Sequence, residues 1–247
     1  MFDIGVIPAA GIASRFKGYY YYGILPKVLF PLAGKPLIEY QLKNMQSLGV
    51  KKVYVIVNKD DVTVKRYLKR YDNNNLKFQI VRQFKPSGLG DAILTMSNII
   101  SKPFVVILGD DITLSGDLKD AAHYFLSNDF DALQLSIFDN NKEAISRSCG
   151  LRFANNLVTQ IVEKPTNHNL EYRGIGIYYL KPRIFLEIKT TPVFQGELRL
   201  TDTLSKLCET KRLATYDIGG LNFNINTVDD LSKAAVHLSK VGDTNFY

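Results

Sequence analysis

Two unbroken apolar pentamers, Val53 to Val57 (VYVIV) and Phe104 to Leu108 (FVVIL), constrain the fold more than any other feature of this chain. A strand covered on one face alternates apolar with polar residues. An unbroken run must be covered on both faces, which is the situation of a parallel sheet between two layers of helices. Helical patterns lie between such runs. Ile38, Leu42 and Met45 recur at i, i+4 and i+7, with Gly49 where a helix would stop; Val64, Leu68 and Tyr71 repeat the spacing. Ala92 to Ile100 forms a further helical segment after Gly88 and Gly90, and Ile4 to Ile7 and Lys77 to Val81 supply two more strands. Strand, helix, strand, helix predicts an α/β fold with a doubly wound, mostly parallel sheet whose ligands bind at the carboxyl ends of the strands. The second half is more mixed: strands are expected at Ala132 to Ile137, Val158 to Val162 and Ile175 to Leu180. Helices are expected at Thr201 to Glu209 and Val228 to Ser239, the latter with Leu231, Ala234, Ala235 and Leu238 on one face. No linker or repeat interrupts the chain, and a single domain over 1–247 is expected, with its halves meeting near residue 130.

Composition narrows the function. The chain has 247 residues, 46% hydrophobic and 22% charged, enough for a sizeable buried core. No stretch reaches the roughly 20 consecutive apolar residues of a membrane span, and MFDIGVIP lacks a secretory signal. Cys149 and Cys208 form no metal-type pair, so a reduced, cytoplasmic protein is expected. The formal charge of +7 is spread along the chain, without an arginine-rich tract or nucleic-acid motif. Anionic small molecules or a merely solvated basic surface account for the balance without a nucleic-acid or membrane partner.

Four short segments carry chemistry. The strand Ile4 to Ile7 runs into Pro8-Ala9-Ala10-Gly11, followed by Arg15, four tyrosines at Tyr19 to Tyr22, and Pro26-Lys27. Backbone amides in a side-chain-poor loop, with Arg and Lys close by, suit a triphosphate; an ordinary strand-to-helix turn needs the same small residues. Leu108-Gly109-Asp110-Asp111 ends a buried strand, where carboxylates can hold Mg²⁺ or merely form a turn. Glu163-Lys164-Pro165 presents a positive charge at another strand end, as does any surface Glu-Lys pair. In Gly196 to Asp202 (GELRLTD), Thr201 or Asp202 can cap the helix that follows.

In order, these segments resemble the sugar nucleotidyltransferase family, whose members join a nucleoside triphosphate to a sugar 1-phosphate and release pyrophosphate. AAGIASR, LPK and LFPLAGKP match its opening motif, and Gln83 to Ala92 its nucleotide stretch. LGDD matches its acidic site. Gly150, EKP and Gly176-Ile177-Tyr178 match its sugar site, and Glu197 to Asp202 its ELxLTD segment. The members that use glucose 1-phosphate with UTP or dTTP look closest. The resemblance implies a Rossmann-like sheet of the nucleotide-diphospho-sugar transferase type, with nucleotide bound by about 1–130 and sugar by about 131–247. It further implies that Ala9, Ala10 and Gly11 wrap the nucleotide, that Arg15 and Lys27 hold its phosphates, and that Gln83 and Gly88 meet the base. Asp110 would bind Mg²⁺; Gly150, Glu163 and Gly176 would line the sugar; Lys164 would neutralise its phosphate.

Two positions depart from the family pattern. Ala13 and Ser14 stand where a Gly and a Thr are usual, and Asn224 stands where the late motif has its second metal carboxylate. Asn224 offers an amide oxygen but no charge, which weakens Mg²⁺ binding unless Asp111 makes up the loss. The tyrosine loop, Lys17 to Gly23, fits either a closing lid or a partner contact, so a homo-oligomer is compatible with it. Two other readings remain at this stage: a non-catalytic nucleotide-sugar-binding subunit, and a cytidylyltransferase for a non-sugar phosphate. An NAD-type enzyme would need G-x-G-x-x-G after the first strand, which is absent.

Overall fold

The computed structural model describes residues 1–11, 16, 25–71, 76–114, 116–166 and 169–241. The first half contains β1 (Ile4–Pro8), a 3-10 turn at Lys27–Leu29, the small hairpin β2 (Pro31–Leu32) and β3 (Lys35–Pro36), α1 (Leu37–Ser47), β4 (Lys52–Asn58), α2 (Thr63–Arg70), β5 (Lys77–Gln83), α3 (Leu89–Leu94), β6 (Phe104–Ile107), β7 (Asp111–Thr113) and α4 (Leu118–Leu126). The second half contains β8 (Ala132–Phe138), α5 (Lys142–Ser146), β9 (Cys149–Ala154), β10 (Leu157–Glu163), β11 (Tyr172–Leu180), α6 (Ile184–Lys189), α7 (Leu200–Glu209), β12 (Leu213–Asp217), β13 (Asn222–Asn224) and α8 (Val228–Val241).

One nine-stranded sheet runs through both halves in the order β5-β4-β1-β6-β11-β8-β12-β10-β9. The four strands from the first half are mutually parallel, whereas β11 is antiparallel to both β6 and β8. β12 is parallel to β8, and β10 is antiparallel to β12 and β9, so the expected mixed second half is realised by two reversed strands.

The unbroken runs are divided between two cores. Val53, Val55 and Val57 of β4 join Val105 and Ile107 of β6 under α1, α2 and α4, through Ile38, Leu42, Val64, Leu68 and Phe125. Tyr54 and Ile56, with Phe104 and Val106, face α3, α6 and α7 through Ile93, Ile184 and Leu204. Each such side chain contributes about 1.5–3 kcal/mol by leaving water. A third cluster, built on Phe30, Leu32, Ile112, Ile225, Leu231 and Leu238, seats α8 and holds β7 and β13 in place.

Local signals mostly act as written. α1 stops at Gly49, which has φ 79° while Val50 N–H donates to Met45 O at 3.0 Å, a left-handed glycine termination. Two expectations change. The α-helix after Gly88 covers only Leu89–Leu94 and tightens into turns up to Ile99. There Thr95 Oγ1 donates back to Ala92 O at 2.6 Å, the local competition that small hydroxylated residues offer a helix. Nor does Thr201 or Asp202 cap α7: Arg199 is its first flanking residue, and no side chain caps it.

Candidate active site

α1 and α2 cover one face of the sheet and α3 the other, so the winding reverses between β1 and β6. At such a reversal the loops leaving the carboxyl ends of the strands diverge and open a crevice. Ala9, Ala10 and Gly11 leave β1 on one side, and Leu108, Gly109 and Asp110 leave β6 on the other. Ala9 N–H still donates to Ile56 O at 2.7 Å, while a Cβ added to Gly11 would meet nothing within 4 Å among the described residues. Among the described residues, no packing contact accounts for a glycine at position 11.

Gly109 has the opposite reason to be glycine. A Cβ there would lie 2.3 Å from Val28 Cγ1 and 3.3 Å from Pro8 O. Its absence lets the Lys27–Leu29 turn close over the end of β6. Val28 and Leu29 are buried, and Phe30 N–H donates to Lys27 O at 3.0 Å. Lys27 Nζ thus reaches Asp110 Oδ2 at 2.7 Å, with side-chain exposures of 16% and 33%. β13 closes the same corner: Ile225 N–H donates to Asp110 O at 2.8 Å, and Asn224 stands opposite Asp111 in the ladder. Lys27 Nζ also lies 3.5 Å from Asn226 Oδ1, and Asn226 Nδ2 donates to Asn224 Oδ1 at 2.7 Å. Lys27, Asp110, Asn226 and Asn224 thus form one chain of contacts. The side chain of Asn226 was missed from sequence.

Asp111 is committed to other partners. It is buried, and its oxygens accept from Gly176 N–H at 2.9 Å and from Asn222 Nδ2. Burial pushes its carboxyl up to about 6, against the pull of Arg173, Asn222 and the Gly176 amide. Gly176 makes this approach feasible, because a Cβ there would stand 2.6 Å from Asp111 Cβ.

The second group of predicted residues surrounds the β9–β10 hairpin and β11. Glu163 pairs with Cys149 and Gly150 with Val162, while Arg173 of β11 stands opposite Gly150. Gly150 is buried, and a Cβ on it would lie 2.5 Å from Leu170 Cδ1. Glu163 Oε2 accepts from Thr201 Oγ1 at 2.7 Å, which is the use the fold makes of Thr201 in place of capping. Lys164 has φ 44° although it precedes a proline, a combination that disfavours any non-glycine residue. Its amide donates to Ser148 O at 2.7 Å, and its side chain is 62% exposed with Nζ 3.8 Å from Glu163 Oε1. Tyr178 links the two groups: burial, then the neighbouring Cys149, Glu163, Asp111 and Asp110, drive its phenol well above the ordinary value.

The predicted base-facing pair is also located. Gln83 is buried at the end of β5, with Nε2 donating to Asp91 Oδ2 at 2.5 Å. Gly88 has φ 100°, and its Cβ position would be 2.7 Å from Leu198 O; Gly90 is equally close. Leu198 N–H donates to Ser87 O at 2.7 Å and Gly90 N–H to Leu198 O at 2.8 Å. The GLG and ELRLTD segments are therefore clasped together. Arg15, Ala13, Ser14 and the tyrosine loop lie outside the described residues.

For Mg²⁺, Asp110 Oδ1 makes no hydrogen bond among the described residues, and Asn224, a partly buried residue of β13, keeps an amide oxygen that accepts from Asn226. No group of three or more His, Cys, Asp or Glu side chains gathers among the described residues. One carboxylate oxygen and one amide oxygen fit a cation that keeps most of its coordination for water and substrate phosphate, which is the habit of Mg²⁺.

Comparison with known proteins agrees with this architecture. The chain is 31% identical over 220 residues to the bifunctional protein GlmU of Methanococcus maripaludis, covering 87% of this chain and 50% of that protein, so it spans half the length of this relative. It is 27% identical over 255 residues to a UTP–glucose-1-phosphate uridylyltransferase of Bacillus subtilis, covering 89% of this chain and 85% of that one. A UDP-glucose pyrophosphorylase solved with UDP-glucose superposes with a TM-score of 0.85 at 26% identity, covering 98% of this chain and 100% of that one. No helix among the described residues is long and apolar enough to cross a membrane. With residues 5–240 matching the family model described as nucleotidyl transferase, the chain belongs to the sugar nucleotidyltransferase family.

Proposed function

We propose that this chain transfers a nucleotidyl group from UTP or dTTP to a sugar 1-phosphate, glucose 1-phosphate first among them, and releases pyrophosphate. The observation that carries the reading is the Lys27–Asp110 contact at 2.7 Å, held in the crevice between the Ala9–Gly11 and Leu108–Asp110 loops. A sugar phosphate dianion is already a nucleophile near neutral pH, so no residue has to remove a proton. It attacks the α-phosphorus in line while pyrophosphate departs, and the protein's task is to position two anions and offset their charge. The open Gly11 backbone admits the triphosphate; Lys27 and Arg15 steady the departing phosphates; Lys164 steadies the attacking one. Gln83 and Gly88 edge the base, and Glu163 with the Gly150 and Gly176 backbone edges the sugar. Asp110 and Asn224 would hold Mg²⁺, which supplies positive charge at the α-phosphate. Two free cysteines fit a reaction carried out in the cytoplasm.

Pyrophosphate release measured across five nucleoside triphosphates and several sugar 1-phosphates, with and without Mg²⁺, tests the reading. Release that ignores the sugar phosphate would overturn it. One feature favours a second reading, a nucleotide-sugar-binding subunit without turnover: Asn224 carries no charge, and its oxygen is already occupied by Asn226. Calorimetric binding without Mg²⁺-dependent turnover would select it. Under the enzymatic reading, Asn224→Asp restores a second carboxylate beside Asp110 and is expected to tighten divalent-cation binding by roughly tenfold, the scale of one added partly exposed charge contact. Mn²⁺ titration followed by electron paramagnetic resonance reads this directly, and unchanged affinity would show that Asn224 does not face the cation.

A further inference from the structure

The net charge of +7, dispersed when read along the whole chain, is concentrated in the fold. Residues 59–85 hold eight Lys and Arg against three Asp, so +5 of the total stands on α2, β5 and the loops around them. α2 buries Val64 and Leu68 and turns Lys65, Arg66, Lys69 and Arg70 to solvent, all four exposed. β5 is an edge strand with β4 as its one hydrogen-bonded neighbour among the described residues. Lys77 and Arg82 on that strand, Lys85 beyond it and Lys59 in the loop before α2 are exposed as well. Arg82 Nη1 donates to Lys59 O at 2.5 Å, which ties the strand to the loop and makes one surface of the two elements.

None of these eight cations forms an ion pair among the described residues. Lys181, Arg183 and Arg212 also stand together, but around Asp129 and Asp131. One or two charges on an edge strand suffice to discourage strand pairing. The four on α2 lie on a helix and have no such task. Lys65 with Lys69 and Arg66 with Arg70 are like charges at i, i+4, a repulsion that an anionic partner relieves.

Two apolar side chains narrow the class of partner. Val62, immediately before α2, is 48% exposed, and Phe84, just past β5, is 77% exposed. Both follow the carboxyl ends of β4 and β5, whose last residues, Asn58 and Gln83, pair in register. A second copy of the chain would bring cation against cation. A nucleic acid would answer the charges and leave Val62 in water. An anionic bilayer answers both: its headgroups meet the Lys and Arg side chains, and the Phe84 ring enters the boundary between headgroups and acyl chains.

We infer that the α2–β5 edge is a docking surface for an anionic lipid bilayer, bound reversibly at the level of the headgroups. β4 separates β5 from β1, so the docked edge stands apart from the crevice beside β1. The test is co-sedimentation of the intact chain with vesicles of phosphatidylcholine and phosphatidylglycerol, or of phosphatidylcholine alone. The chain should bind the mixed vesicles in about 0.1 M salt, ignore the neutral ones, and be released near about 1 M salt, where surface charge is screened. Lys65→Glu/Lys69→Glu replaces two cations by two anions and should weaken partition at least about 30-fold, with the fold kept in a thermal melt. The chain contains no Trp, so Phe84→Trp adds a single fluorophore. Its emission should shift to the blue on the mixed vesicles.

Absence of binding to the mixed vesicles, equal binding to neutral ones, or equal binding by the double variant overturns the inference. So does a single-stranded RNA that binds more tightly than vesicles of equal phosphate concentration, which would assign the face to nucleic acid. Should the double variant fail to fold, the salt series and Phe84→Trp decide, and retention at high salt or an unshifted emission overturns the inference. No readout here uses turnover, so failure of the proposed reaction and failure of this docking surface are told apart.

Discussion

Lys27→Ala is expected to lower turnover by roughly 10²–10³-fold, equivalent to about 3–4 kcal/mol at the transition state. The loss should be chemical rather than structural. The turn that carries Lys27 is built by backbone bonds from Leu29 to Pro26 and from Phe30 to Lys27, and by burial of Val28 and Leu29, none of which uses the ammonium. What disappears is the cation beside Asp110, which under the proposed reaction would offset charge on the departing pyrophosphate. A continuous pyrophosphate-release assay paired with a thermal melt separates the two effects. Release at the wild-type rate from a folded variant would remove Lys27 from the mechanism.

Gly88→Ala is expected to cost stability as well as activity. At φ 100° and ψ 173°, Gly88 occupies a backbone region that only glycine enters freely, at about 1–3 kcal/mol for any other residue. The added methyl would also stand 2.7 Å from Leu198 O and 3.0 Å from Leu198 N, atoms of a backbone that cannot rotate aside. Together these give about 3–5 kcal/mol, or a melting temperature lower by roughly 6–20 °C. Gly11→Ala is the matched control, since nothing among the described residues lies within 4 Å of its new carbon, and its melting temperature should move by less than about 2 °C. Equal melting of the two variants would mean that the clasp between Ser87–Gly90 and Leu198 contributes little.

The sequence revealed most where a residue's partners were implied by its own neighbours. VYVIV required cover on both faces, and the alternation of Val53, Val55 and Val57 against Tyr54 and Ile56 between two cores meets that requirement. Gly49 marked its helix end for the same local reason. The crevice was legible as a series of loops closing strands, and Lys27 does meet Asp110 across 83 residues of sequence. Three-residue β7 and β13 were not visible, because they pair only with each other and take their cover from α8. Arg173 was equally silent. A lone arginine opening a strand reads as a solvated charge, and its burial depends on Asp139 and Asn222, which lie 34 and 49 residues away. Gly88, expected beside the base, is packed against a segment more than a hundred residues later, a constraint that no local pattern announces.

The position of β11 bears on how the molecule is made. It is among the last strands to leave the ribosome, yet it lies in the middle of the sheet, hydrogen-bonded to β6 on one side and β8 on the other. Until residue 180 has been synthesised, the nascent amino-terminal half ends in β6, an apolar strand with one unpaired edge. Such an edge is a template for pairing with other chains. Truncations ending before β11 should therefore aggregate, and production of intact protein should depend on how quickly translation carries the chain past that strand.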